Sequence, residues 1–292
     1  MNIEDNLFIC YNWMPTVSNH VLDISVDEYK AAGVTPLHKK QNFNPFHVKD
    51  GDLIFVKTDF IVDGTFANYY LDKIFCSFNI ISGVSSYNIG RDGDDSYLKI
   101  LNHPGLIKWF CTNPPDLNNK KIIPLPIGFE EPDRIGGNQQ TLKKIFNNRT
   151  LWINKKNKIL MPYHDMTTNP ERKKLFDQLK NLSFVDIQED KLPFEQYVKL
   201  IDRYKFVICL EGRGPDVHRN YESMLVGTIP INKKTIIEEV FSYHCASGVF
   251  LNSWGELDQQ YFKALLDAQF DIQKNDEFIQ LEKYYSLIKE LT

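Results

Sequence analysis

Short apolar runs built from β-branched and aromatic residues recur along this chain between turn signals, at 7–13, 53–60, 78–84, 106–111 and 121–127. After a polar stretch the pattern resumes at 158–163, 183–187, 205–210, 228–232 and 248–252, now with clear helical segments in between. Runs of this length read as strands, and strands alternating with helices call for sheets covered by those helices. Two successive α/β units follow. Helices are expected at 169–182, where Asn169 can cap and Pro170 suits the first turn, and at 193–204. A chain of 292 residues, 42% hydrophobic and 25% charged, has ample material for two such cores.

The stretch 129–157 is rich in Gly, Asn, Gln and Lys and contains Gly136-Gly137, so it reads as a connection with a short helix at 141–147. The expected division is an α/β domain at 1–135, a linker at 136–156, a second α/β domain at 157–255 and helices at 256–292 that pack back on the first domain. No fixed-period repeat occurs, which excludes a solenoid. The expected fold is α/β, with two Rossmann-like domains facing a cleft.

The net charge of -4 gives no general basic field, so neither nucleic acid nor an anionic membrane is an expected partner. No apolar run approaches the roughly 20 residues that span a bilayer, and the first residues are acidic where a signal peptide needs basic ones. The expectation is a soluble, cytoplasmic protein without a membrane anchor. The five cysteines are scattered and free of CxxC spacing, which reads as reduced thiols. HExxH, GxSxG and GxxxxGK[ST] are absent, so zincin, serine-hydrolase and P-loop chemistries have no support.

The stretch 204–231 combines a buried strand, the loop Glu211-Gly212-Arg213-Gly214, a helix and a further strand. Open α/β sheets bind ligands at the carboxyl ends of their strands, glycines let backbone amides approach a ligand, and a helix start favours an anion. Arg213 in the loop and Arg219 on the helix can neutralise a diphosphate, while Glu222 can accept hydrogen bonds from ribose or sugar hydroxyls. His218 shares a helix face with Glu222. His164, after the strand at 158–163, either meets the same ligand or is a satisfied polar side chain.

The run KFVICLEGRGPDVHRNYESMLVGTIPI at 205–231 resembles the sugar-nucleotide-binding segment of the exostosin-like glycosyltransferases, in which an Asp-x-His-Arg-x-x-Glu helix follows a Gly-rich loop. Weaker echoes occur in the same order: IFVKTDF (54–60), ISGVSSYNI (81–89), LIKWFCTN (106–113), PLPIGFE (124–130) and TTNPERKKLFD (167–177). The resemblance implies a GT-B-type transferase that binds its donor in the C-terminal domain without a metal or other cofactor. It implies that Asp216, His218, Arg219 and Glu222 belong to the donor site, and that Thr167, Thr168 and Arg172 face the diphosphate. A UDP-sugar donor and a glycan acceptor are the implied substrates. UDP-xylose comes from the likeness to small soluble members in large DNA viruses of algae, whose setting would be the host cytoplasm. A fucosyltransferase-like enzyme using GDP-fucose shares the Glu-ending strand and the Pro-containing strand, though the His218-Arg219 pair favours the exostosin-like side. A noncatalytic nucleotide-sugar-binding protein is the alternative of a different class.

An inverting transfer also needs a general base. Asp59 is the first candidate, placed at the end of the strand at 53–58, with Asp63, Asp92, Asp94 and His103 as alternatives. The competing role of Asp59 is a helix or turn cap. Asp50-Gly51-Asp52 and Asp92-Gly93-Asp94 have the form of metal-binding pairs but read as turns. Trp13 and Tyr87 are placed at the border of an acceptor site, and Trp109 in the core.

Overall fold

A computed structural model describes residues 7–10, 13–24, 43–115, 117–167 and 169–292. The chain forms two compact units, one of residues 1–133 with 281–292 and the other of residues 134–280. Each is built on a five-stranded parallel sheet.

In the first unit the strands β1 (His20–Leu22), β2 (Asp52–Lys57), β3 (Phe78–Gly83), β4 (Leu106–Cys111) and β5 (Ile122–Pro124) stand side by side in chain order. Right-handed crossovers that always step in one direction put their helices on one face of the sheet. Accordingly the helices Thr58–Val62, Thr65–Tyr69 and Ser96–Asn102 send Ile61, Phe66 and Ile100 into one cluster with Ile54, Val56, Ile80 and Trp109. The alternate residues Phe55, Ile81 and Phe110 are equally buried, so the opposite face needs a cover of its own. The helices Met14–Val17 and Leu281–Leu291 supply it. Met14 lies against Gly83, Trp13 packs edge-on to Tyr285 at 5.4 Å, and the Leu281 amide donates to the Leu7 carbonyl.

In the second unit the order is β10 (Val249–Leu251), β9 (Ile229–Lys233), β8 (Tyr204–Ile208), β6 (Lys156–Met161), β7 (Val185–Ile187). The winding reverses between β6 and β8, and helices cover both faces. The helices Glu171–Leu179 and Gln259–Asp267 pack with Ile159, Phe206 and Ile231 on one side; Phe194–Ile201 packs with Leu160 and Val207 on the other. This doubly wound arrangement leaves a crevice at the carboxyl ends of β6 and β8, where strand order reverses. Among the described residues no helix is long and apolar enough to cross a membrane.

Several expectations are corrected. The stretch 136–156 is no free linker: its helix Gln139–Asn147 buries Leu142, Arg149 forms a two-pronged ion pair with Asp276, and Lys155 is sequestered against Asp202. Of the helices after Gly255, only Leu281–Leu291 joins the first unit; Gln259–Asp267 and Ile272–Phe278 stay with the second. The run 7–13 forms no regular strand among its described residues, since Cys10 pairs with Phe129 through an isolated bridge. Trp13 is 1% exposed and belongs to the core rather than to a binding border. The strand expected to reach Thr58 stops at Lys57, where the chain turns directly into a helix.

Gly128, in the PLPIGFE motif, has φ +73°, and a Cβ there would lie 2.5 Å from the Ile9 carbonyl oxygen. Its glycine is thus explained by the close passage of segment 7–10. We expect Gly128→Ala to destabilise the protein by ~2 kcal/mol or more in chemical denaturation, from left-handed strain plus the clash. Unchanged stability would show that segment 7–10 does not pass there.

Candidate functional site

Two loops frame the crevice, one leaving β6 (162–170) and one leaving β8 (209–217), and Arg172 ties them together. Its Nε and Nη2 donate to the Glu211 carbonyl at 3.1 and 2.8 Å, and its Nη1 donates to the Asp165 carbonyl at 2.8 Å. Arg172 is only 9% exposed, and its hydrogen bonds go to carbonyl groups rather than to a carboxylate. Its charge is therefore fixed in place without being directly neutralised.

Arg219 comes to the same place from the first turn of the helix His218–Leu225. Its Nε donates to the Tyr197 hydroxyl at 2.8 Å and its Nη2 to the Tyr163 carbonyl at 3.0 Å. The Tyr197 hydroxyl in turn donates to Glu222 Oε2 at 2.8 Å, so Glu222 acts on Arg219 through a phenol. Burial first, and then the field of Arg219, press the Arg172 guanidinium below its ordinary value. Two guanidinium groups thus repel each other across the crevice, and arginine does not relieve such repulsion by deprotonating. Val217, at the N-cap of the helix, supplies no side-chain cap. The positive end of that helix adds to the same field.

His164 completes the cluster. It is 3% exposed, its Nδ1 pairs with the Pro162 carbonyl at 2.7 Å, and its Nε2 has no partner. Burial, followed by the fields of Arg219 and Arg172, holds its imidazole well below the usual 6.5. A carbonyl can only accept, so Nδ1 carries the proton of the neutral ring and Nε2 is an unsatisfied acceptor.

The remaining donor-site candidates are placed as follows. Asp216 is buried and accepts from Tyr221 and Asn220, which makes it a brace for the helix start. Thr167 donates through its amide and hydroxyl to Asp165 on an exposed turn. Arg213 is exposed in the Gly-rich loop, and His218 opens the helix half-buried. Thr168 lies outside the described residues. Tyr197 gives no signal in the sequence, since its role depends on a helix from another part of the chain meeting Arg219 and Glu222.

In the first unit Asp59 lies in the first turn of the helix Thr58–Val62, where its Oδ2 accepts from Lys57 Nζ at 2.7 Å. Lys57 also donates to the carbonyl of Val84, a residue in the left-handed region at φ 58°. Asp92 accepts from the Asn88 amide and Asp94 from the Ser96 amide, in the connection that leaves β3. Asp63 holds the Thr65 amide. His103 precedes β4, at the amino end of the sheet, and so stands apart from Asp59, Asp92 and Asp94. Its Nδ1 accepts from the Gly105 amide. Asp50 is likewise taken by the amide and hydroxyl of Ser77, and Asp52 by the Lys49 amide and the His20 ring. Among the described residues no cluster of three His, Cys, Asp or Glu could hold a metal ion.

No family model matches the chain, and no curated protein matches it.

Two outcomes are expected. A histidine with a folded-state value below its unfolded value favours the neutral form in the fold. Its stabilisation is therefore full above pH 6.5 and is lost as the pH falls below it. Unfolding free energy should drop less steeply with acidification below pH 6.5 in His164→Gln than in the wild type, as urea titrations at stepped pH will show; equal slopes would place the imidazole in water. The second concerns Gly212, where a Cβ would meet only ordinary contacts, at 3.7 Å from Val217 and 4.0 Å from Arg172. Gly212→Ala should keep its melting temperature while losing affinity for a bound anion, because only a ligand needs that space. A fall in melting temperature with unchanged affinity would reverse this assignment.

Proposed function

We propose that the protein is a glycosyltransferase that moves a sugar from a nucleotide-sugar donor, UDP-linked by family resemblance and with UDP-xylose the first to test, to a glycan hydroxyl. The observation that carries the reading is the pair Arg172 and Arg219, two buried-edge guanidinium groups held by carbonyls and a phenol at the reversal of strand order. A site that fixes two cations without a directly bonded carboxylate fits a diphosphate.

In this reading transfer is inverting. The acceptor oxygen forms its bond to the anomeric carbon as the bond from that carbon to the diphosphate oxygen breaks, and the departing nucleoside diphosphate carries the electron pair. Arg172 and Arg219 stabilise the charge that grows on the leaving group, the task a divalent cation performs in other architectures. The acceptor proton goes to a carboxylate of the first unit, with Asp59 the first candidate and Asp92 and Asp94, in the connection that leaves β3, the alternatives. The GT-B-type arrangement, with the first unit on the acceptor side, belongs to this proposal. Thr58 Oγ1, Thr112 Oγ1 and Asn113 Oδ1 follow β2 and β4, are buried and have no partner, and such groups fit the recognition of hydroxyls.

A panel of nucleotide sugars tests the reading in EDTA. A UDP-sugar should raise the melting temperature and be hydrolysed slowly, and Arg219→Ala should weaken binding at least tenfold, about 1.4 kcal/mol. Selection of GDP-fucose would favour the fucosyltransferase-like alternative, and binding without hydrolysis or transfer a noncatalytic sugar-nucleotide binder. No response to any nucleotide sugar would reject the proposal.

A further inference from the structure

On the β7 side of β6, next to the arginine pair, lies a pocket of about 410 Å³ walled by Met161, Pro162, Tyr163, Met166, Phe176 and Ile187. That volume is in the range that holds small organic ligands. Most of the lining surface is apolar, and its two thioethers and two aromatic rings pack well on a flat, polarisable ring system, while Lys173, Asp177, Gln188 and Glu189 also line the pocket.

One polar requirement is set by His164, which also borders the pocket. Its unpartnered Nε2 is a buried acceptor, so the group that satisfies it must bring an N–H or O–H. The pocket is also joined to the cationic site through Tyr163, which forms part of its wall while its carbonyl holds Arg219. A ring in the pocket and an anion on the arginines can therefore belong to one molecule.

We propose that this pocket takes the nucleobase of the nucleotide whose phosphates sit on Arg172 and Arg219. The base then lies over β6 and β7, not over β8 and β9, and donates a ring or amino N–H to His164 Nε2. Glu222, already engaged by Tyr197, serves to position Arg219. The inference rests on the diphosphate reading of the arginine pair and adds to it the direction in which the nucleotide runs.

Calorimetry in EDTA with UDP, GDP and inorganic pyrophosphate tests both layers. His164→Phe keeps the ring volume but removes the acceptor. It should lower the affinity of the preferred nucleotide by tenfold or more while leaving pyrophosphate within about twofold, since pyrophosphate has nothing to place in the pocket. Arg219→Ala should weaken nucleotide and pyrophosphate alike. A second measurement does not depend on the folding of a variant: Met166 is half-buried in the loop, and its oxidation by dilute peroxide, followed by mass spectrometry, should slow when nucleotide is bound and not when pyrophosphate is bound. Binding of neither probe to the wild type would overturn the diphosphate reading together with this inference. Binding of both, with Met166 equally oxidised in the presence of nucleotide, would overturn the nucleobase assignment alone.

Discussion

The three hydrogen bonds of Arg172 to the carbonyls of Glu211 and Asp165 make one rigid body of two loops that leave different strands. Much else in the second unit depends on that tie. It fixes one positive charge at the crevice, which adds to burial and the field of Arg219 in keeping the His164 ring neutral. A lysine would replace it poorly, because a compact ammonium lacks the planar fork of donors that reaches the carbonyls of both loops at once.

The electrostatics of the site are held in tension by choice of partner. Carbonyls and a phenol satisfy the hydrogen-bonding capacity of the guanidinium groups while leaving most of their charge in place. Had carboxylates filled those positions, the fold would be easier to assemble and the crevice indifferent to anions. Strain of this kind concentrates where a ligand completes the structure.

Much of this organisation was legible in the amino-acid order, and the limits have physical causes. Strands such as Leu106–Cys111 and the helix Glu171–Leu179 are visible because parallel sheets buried on both faces need unbroken apolar runs and their helices need amphipathic ones. Arg219 and Glu222 stand out because the Gly-rich loop before them has few other uses. Tyr197 and the pocket around Met166 and Phe176 leave no such trace, since they arise from distant segments meeting. The boundary near Asp133 was blurred because Asn- and Lys-rich composition looks like a linker even where Arg149 and Lys155 find ion-pair partners that fasten it down. In the sequence Asp59 reads as a strand end, because nothing local announces that the chain turns into a helix at Thr58.

The helix Leu281–Leu291 belongs to the unit that begins the chain, so the backbone passes from the first unit to the second and returns. During synthesis the first sheet therefore leaves the ribosome with one face covered only in part, by the helix Met14–Val17, and stays so until the whole of the second unit has been made. The second unit, being continuous from Arg134 to Gln280, can fold as it emerges. Assembly thus runs against the order of translation, with the later unit finished before the earlier one. A nick or truncation near Gln280 would leave the arginine site intact while stripping the cover from Trp13 and Met14, so damage at one end of the chain would be felt in the unit encoded at the other.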